Sequence, residues 1–280
     1  MESGMRMNIM VGVLLWIAGV TCAQADEPRS NPLDATVMVD VGGFFLSTDI
    51  NVRLDGEETG QVGDDIDFDD TFGIADFERF RADALWRIKG NHSVRGTYFT
   101  NNRSATTELS RDIHFGDETY PVGVVATARA DLTLLQFSYD YAFRRRENYE
   151  LAAGIGAHML EAKLSVDATV TGGGGTSSRE LSESGSTSAP LPVLGFRGTW
   201  LLPHNFYATA LAQYFYVDFD DYVGSLSDLK ATIVWQASKH VGLGLGYNDF
   251  RFRVRVDKNR FDGRLGWNYG GAMAFVSVMY

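Results

Sequence analysis

One cysteine, Cys22, stands in the 280 residues, which excludes a disulfide scaffold and a cysteine-ligated zinc site. Prolines are few, six in all, and 30 glycines without a period fit neither collagen nor a low-complexity tract. Lysine is scarce as well: five against 20 arginines, a bias that favours planar, bidentate pairing over simple solubility. Basic residues are outnumbered 25 to 36, and a net charge of −11 excludes a nucleic-acid binder that relies on a general basic field. From Ala35 onward no apolar run reaches 18 residues and no helical spacing of apolar residues persists for three turns, so helical membrane spans are excluded. What abounds is aromatic. The 35 Phe, Trp and Tyr residues are far too many for a solvated tail.

The first segment with a clear message is Met5-Arg6-Met7-Asn8, an apolar stretch from Ile9 to Val20, then Thr21-Cys22-Ala23-Gln24-Ala25. A basic start, a short hydrophobic run and an Ala-x-Ala site are the three parts of a secretory signal peptide. The 12-residue run is shorter than the roughly 20 residues a spanning helix needs. Residues 1–25 are therefore expected to be removed, and Cys22 with them.

Beyond Ala35 the recurring pattern has period two. Val37, Val39 and Val41 alternate with polar or small residues, as do Phe80 to Ile88, Leu135 to Phe143, Leu194 to Trp200, Leu229 to Trp235 and Val241 to Tyr247. One face of each segment is apolar and aromatic, the other polar or glycine. The segments run 12 to 20 residues, whereas strands of soluble domains cluster around five or six. Connections alternate between tight, such as Lys89-Gly90-Asn91, and long, such as Asp55 to Gly73 and Thr171 to Pro190. Long alternating strands with short turns at one end and polar loops at the other predict a transmembrane antiparallel β-barrel. Ten strands are expected at about 36–54, 74–88, 92–110, 122–143, 149–169, 191–202, 206–218, 225–236, 241–256 and 261–280.

The chain ends on Gly271-Ala272-Met273-Ala274-Phe275-Val276-Ser277-Val278-Met279-Tyr280. Val276, Val278 and the terminal aromatic Tyr280 resemble the C-terminal signal by which bacterial outer-membrane proteins are recognised for assembly. With the export signal and the strand pattern, the whole chain resembles the small outer-membrane β-barrels of Gram-negative bacteria. That resemblance implies an outer-membrane location, contact with its lipid and lipopolysaccharide, handling by the barrel-assembly machinery and, by default, a monomer. On this reading residues 26–35 form a short periplasmic segment and 36–280 the barrel. Trp267, Tyr269, Met273 and Phe275 are as apolar as the even positions beside them, so alternation leaves the facing of the last strand open, and a bulge near Gly270-Gly271 would switch it.

Turning the apolar face to lipid sends Asp40, Arg79, Arg81, Asp83, Arg87, Arg95, Asp140 and Arg197 into the lumen, with Arg129, Asp131 and Arg251. Apparent phase changes at Leu134/Leu135, Met159/Leu160 and between Tyr247 and Phe250, read as bulges, add Glu161, Lys163, Arg253 and Arg255. If Gly90-Asn91-His92 closes the second hairpin, Arg87 stands opposite Arg95, and a row Asp40, Arg87, Arg95, Asp140 crosses the short-turn end. Such a lumen is either a filled interior of paired charges, the usual state of small barrels, or a narrow path for small anionic solutes lined by Arg251, Arg253 and Arg255. The first expectation is thus a structural barrel or a narrow passage.

Two other classes stay open. Thr171 to Ser188, glycine- and serine-rich, reads as a mobile loop suited to surface adhesion. A hydrolase in the manner of the omptin proteases would draw on Asp112, His114 and Asp117 with the first-loop acids, but the omptin motifs are absent, and no nucleophile, base and orienter set can be assembled. No catalytic residue, cofactor or metal is therefore expected. The run Asp64-Asp65-Ile66-Asp67-Phe68-Asp69-Asp70 lacks the glycine and distal Glu of an EF-hand, leaving weak cation bridging to lipopolysaccharide as its ligand role and a solvated outer loop as the plain one. His158 falls mid-strand, facing inward.

Overall fold

The computed structural model describes residues 31–72, 78–171, 178–219, 222–258 and 261–280. The expected signal peptide lies outside them. In chain order the elements are β1 (Val37–Leu54), β2 (Ile66–Asp67), helix α1 (Phe68–Phe72), β3 (Glu78–Lys89), β4 (His92–Glu108), β5 (Ile113–Phe115) and β6 (Glu118–Tyr120). They continue with β7 (Val125–Arg145), β8 (Tyr149–Thr171), β9 (Ser178–Leu202), β10 (Phe206–Phe219), β11 (Tyr222–Gln236), β12 (Val241–Lys258) and β13 (Phe261–Met279). Ten of these, β1, β3, β4 and β7 to β13, pair antiparallel with their chain neighbours, and β13 pairs back onto β1. The sheet closes on itself, which satisfies every ladder of backbone groups without leaving an edge in lipid. Closure runs through the expected assembly signal: the Thr36 and Val37 amides donate to the Tyr280 carbonyl, and the Tyr280 amide donates to Val37.

The outer wall carries two aromatic belts. Trp86, Tyr141, Phe143, Trp200 and Trp235 are exposed at the short-turn end, and Phe45, Phe80, Tyr98, Tyr214 and Tyr247 form the second belt toward the long loops. Between them stand Leu135, Phe137, Ile155, Leu194, Leu243 and Leu245, all exposed, as a lipid-facing band requires.

The strands are longer than a bilayer needs. β7, β8 and β9 have 21, 23 and 25 residues, against the 9 to 11 that cross the hydrocarbon. The remainder stands above the second belt, in water, where the alternation reverses its chemistry without changing phase. Along β7 every even position from Ala126 to Ala142 is buried, first Ala126, Ala128, Ala130, Leu132 and Leu134, then Gln136, Ser138 and Asp140. The odd positions face out throughout, polar above the membrane and apolar within it. β8 and β12 behave alike, with Leu160, Ala162, Leu164, Val166, Phe250 and Phe252 inside. The three expected phase-changing bulges do not occur; the register runs unbroken through all three places.

Irregularities sit at the tight turns instead, at Arg87/Lys89 and Ala142/Arg144. The first corrects the expected hairpin register. Lys89 pairs with His92 across a two-residue Gly90-Asn91 turn, with Gly90 at φ 54°, so Trp86 faces Val94 and Arg87 faces Ser93 rather than Arg95. The facing of β13 is also settled. Ala272, Ala274, Val276, Val278 and Tyr280 point to lipid, while Trp267, Tyr269, Met273, Phe275, Ser277 and Met279 point in, with no bulge at Gly270-Gly271.

Most of the expected mobile loop is strand. β8 runs to Thr171 and β9 begins at Ser178, in register from Thr171/Ser178 inward. Of its hydroxyl residues, Ser182 and Ser184 stand exposed on β9. Residues 172–177 lie outside the described residues.

Candidate functional site

The lumen is filled in three layers. At the short-turn end lies a charge network. Arg95 Nε donates to Asp140 at 2.6 Å, Arg197 Nε reaches the same oxygen at 3.3 Å, and Arg197 Nη2 donates to Glu150 at 2.9 Å. Arg87 Nη1 closes the set on the other oxygen of Glu150 at 2.9 Å. A second group joins it: Arg81 pairs with Asp83 at 2.9 Å, Lys230 with Asp83 at 3.0 Å, and Thr97 donates to Asp83 at 2.6 Å. Asn248 ties this group upward, accepting from Arg81 at 2.6 Å and donating to Asp228, which also accepts from Gln136 at 2.8 Å. Gly154 makes room for the network, because a methyl group there would sit 2.2 Å from Asp140 Oδ1.

Inward cations and acids in this half nearly balance among the described residues. Arg81, Arg87, Arg95, Arg145, Arg197 and Lys230 stand with Asp40, Asp83, Asp140, Glu150 and Asp228; Arg81 and Lys230 share Asp83, while Arg87, Arg145 and Arg197 share Glu150. A cavity of about 80 Å³ remains between them, room for a few waters, with Pro32 and Leu33 from the N-terminal segment lining it. Leu33 is buried, and Arg145 holds the segment through Asp34 at 2.6 Å and through the Leu33 carbonyl.

Above the charges lies an aromatic layer of Phe44, Phe99, Phe250 and Tyr269, with ring centroids 4.7 to 5.8 Å apart. His158 lies against Phe250 at 6.4 Å, fully buried, which bears out its inward facing. The third layer is a lid. The first loop turns inward, placing Ile66, Phe68 and Phe72 in the barrel mouth, and the β5–β6 hairpin adds Ile113, Phe115 and Tyr120. The acidic run is thus not a wholly solvated loop. Its Asp69 accepts from the Ile50 amide at 2.9 Å and from Arg103 at 2.6 Å, pinning the helix to the wall. Asp69→Ala is expected to leave Arg103 buried without its charge partner and to loosen the lid by about 1–3 kcal/mol. Faster amide exchange across Ile66–Phe72 alone would show it, and unchanged exchange there would contradict it.

Of the fifteen lumen residues named from sequence, Asp40, Arg81, Asp83, Arg87, Arg95, Asp140 and Arg197 line this interior, and Arg79 joins them higher up, donating to Asn101 at 2.8 Å. The expected row survives in part: Arg95 meets Asp140, but Arg87 meets Glu150, and Asp40 stands opposite Asp83 and Ser277 in register. The other seven are corrections. Arg129, Asp131, Glu161, Lys163, Arg251, Arg253 and Arg255 all face out, because no bulge turns them. Arg129 pairs with Asp167 and Lys163 with Glu161 on the water-washed wall. Sequence reasoning missed Glu150 and Arg103, and it set Asp228, Lys230 and Asn248 on the polar face without naming them among the lumen residues. Each sits in phase with neighbours already assigned inward, so strict period two would have found them.

At the rim, Asp64 Oδ2 accepts from the His114 amide at 2.8 Å and from its ring Nδ1 at 3.2 Å, with Arg111 at 3.8 Å. Partial burial works against its charge, yet the His114 bonds and Arg111 hold its carboxyl below the usual carboxylate range. Asp117 is likewise held low by the Thr59 and Glu58 amides, clasping the first loop to the β5–β6 turn. Asp112 accepts from the Val122 amide at 2.7 Å. These acids serve as loop clamps.

Set beside known proteins, the chain matches no protein-family model and no curated protein. Among solved structures, the outer-membrane protease OmpT from Escherichia coli aligns with a TM-score of 0.52 at 13% identity, covering 91% of this chain and 99% of that one. The fold is that of a bacterial outer-membrane β-barrel. Two toluene transporters align more loosely. TbuX from Ralstonia pickettii has a TM-score of 0.39 at 10% identity, covering 88% of this chain and 90% of its own. TodX from Pseudomonas putida has 0.38 at 8%, covering 90% and 93%.

Proposed function

We propose that the protein resides in the bacterial outer membrane as a sealed, monomeric structural barrel, with its long-loop end at the cell surface and no open passage for solutes. The observation that carries this reading is the lumen charge network, in which each of five buried or half-buried cations at the short-turn end meets a carboxylate, beneath a packed aromatic layer and lid. A path for anions needs an excess of inward arginine. The three arginines that would have supplied it, Arg251, Arg253 and Arg255, stand on the outer wall. Solvated strands and a folded rim then offer their surface outward, which supports interaction at the cell surface as the working face, and the reading assigns no reaction to it. Export by the signal peptide and recognition of the Val276, Val278, Tyr280 end by the assembly machinery complete it.

Single-channel recording of the mature chain in a planar bilayer tests the reading. The expected trace is silent at protein levels where heat-modifiable migration shows a folded barrel. Reproducible current would overturn it, and a shift of that current's selectivity on changing Arg87 or Arg197 would restore the passage.

A further inference from the structure

The cavity of about 80 Å³ among the lumen charges lies at the short-turn end, where Pro32 and Leu33 line it from the N-terminal segment. Most polar groups on its wall are spent on one another. Arg95 gives Nε and Nη2 to Asp140, Arg197 gives its three nitrogens to Asp140, Thr199 and Glu150, and Lys230 and Thr97 both reach Asp83. Tyr207 meets Ser277 at 3.1 Å, and Thr199 meets Thr209 at 3.3 Å. Two atoms are left over. Nε of Arg87 and Oδ1 of Asp40 are buried with no hydrogen-bond partner, and both residues line this cavity. A buried donor or acceptor left without a partner costs more than an average hydrogen bond returns, so a group that meets both is held firmly.

Register sets the two atoms at different heights. The Arg87 amide donates to the Thr36 carbonyl, beside the N-terminal segment, whereas Asp40 stands four residues farther along β1, opposite Asp83, roughly 13 Å of strand away. The spare donor is therefore at the mouth and the spare acceptor at the inner end. Net charge then selects the ligand. Asp34 answers Arg145 at 2.6 Å, so the cations and acids around the cavity cancel, and no surplus remains to hold a free anion or cation. What remains is one unmatched cationic donor and one unmatched anionic acceptor, with Leu33, Met38 and Leu85 as an apolar side between them. At about 10–15 Å³ for each water-sized group the volume takes roughly six, the number of heavy atoms in alanine.

We propose that this cavity binds a small zwitterion, an α-amino acid of alanine's size, from the short-turn side. Its carboxylate accepts from Arg87 Nε, its ammonium donates to Asp40 Oδ1, and its methyl group lies against Leu33 and Met38. Pro32 and Leu33 close the mouth behind it, held by Arg145 through Asp34 and the Leu33 carbonyl. The site goes beyond the sealed-barrel reading; only its supply from the periplasm rests on the orientation proposed there.

Isothermal titration calorimetry of the folded barrel, expressed from Asp26 onward, tests the site with L-alanine, propionate, ethylamine and L-tryptophan as probes. L-alanine is expected to bind saturably, one per barrel, and about tenfold or more tighter than propionate or ethylamine, each of which lacks one charged hydrogen bond. Tryptophan is too large and should give no saturable heat. D40N is expected to lose about tenfold for L-alanine and little for propionate. T232L, which fills the cavity and leaves every charge in place, should weaken both, and R129Q on the outer wall should bind as the parent does. Heat-modifiable migration verifies that each variant is folded; if D40N is not, the four probes on the parent carry the comparison. No saturable heat with L-alanine would mean that the cavity holds water alone and would overturn the proposal. Propionate or ethylamine binding as tightly as L-alanine, parent-like binding by D40N and T232L, or an equal loss in R129Q would overturn it as well. A conducting barrel that still showed the expected pattern would sink the sealed-lumen reading and leave this site standing.

Discussion

Replacing Glu150 with alanine is expected to cost about 3–5 kcal/mol of barrel stability, the largest effect of any single change in the charge layer. Glu150 is fully buried and accepts from Arg87 at 2.9 Å and from Arg197 at 2.9 Å, with Arg145 at 3.7 Å. Removing it strands two guanidinium groups whose side chains are only 8% and 6% exposed, and among the described residues Arg87 has no other ion pair. Arg197 keeps Asp140 at 3.3 Å, so the damage centres on Arg87. Glu150→Gln should cost less, because it retains an acceptor while losing the charge. Denaturant unfolding of the refolded barrel reads both; a loss under about 1 kcal/mol for the alanine variant would show that the network is not the tight pairing described.

The second large effect is expected at Phe250. Its ring lies 4.7 Å from Tyr269 at an interplanar angle of 9° and 6.4 Å from His158, with no exposed surface. Phe250→Ala removes a ring from a close-packed layer that cannot collapse, since the walls are fixed by ten hydrogen-bonded ladders, and should cost about 3–5 kcal/mol. The barrel is nonetheless expected to stay electrically silent, because the charge layer beneath and the lid above remain. Wild-type-like unfolding would contradict a packed aromatic layer, and current from this variant would show that the aromatic layer alone seals the lumen.

The barrel itself was legible in the sequence. Alternation from Leu135 to Phe143 and from Val241 to Tyr247 named the lipid face, and the expected ten strands overlap the ten observed. The interior was only half legible, for one physical reason. Reading the polar face as inward holds where the outside is lipid, but β7, β8 and β12 continue into water, where the same facing demands apolar residues inside and charges outside. Arg251, Arg253 and Arg255 alternate with Phe250, Phe252 and Val254, and inventing a bulge kept the charges inside. Length was the available signal: 21 to 25 residues per strand leave about half of each beyond the bilayer. The inward folding of the acidic run was less accessible. Ile66, Phe68 and Phe72 are spaced as a small apolar face among five aspartates, and their burial depends on a barrel mouth that only the closed fold supplies.

Cysteine scanning with a membrane-impermeant thiol reagent tests the sealed, phase-constant lumen most directly, because a chain expressed from Asp26 onward has no thiol of its own. In folded barrels open to reagent from both sides, Arg251→Cys and Arg253→Cys are predicted to label within minutes, while Ser138→Cys, Ala130→Cys and Phe252→Cys stay unlabelled until the barrel is unfolded. Rapid labelling at Ser138→Cys and Ala130→Cys, or protection at Arg253→Cys with labelling at Phe252→Cys, would contradict the account.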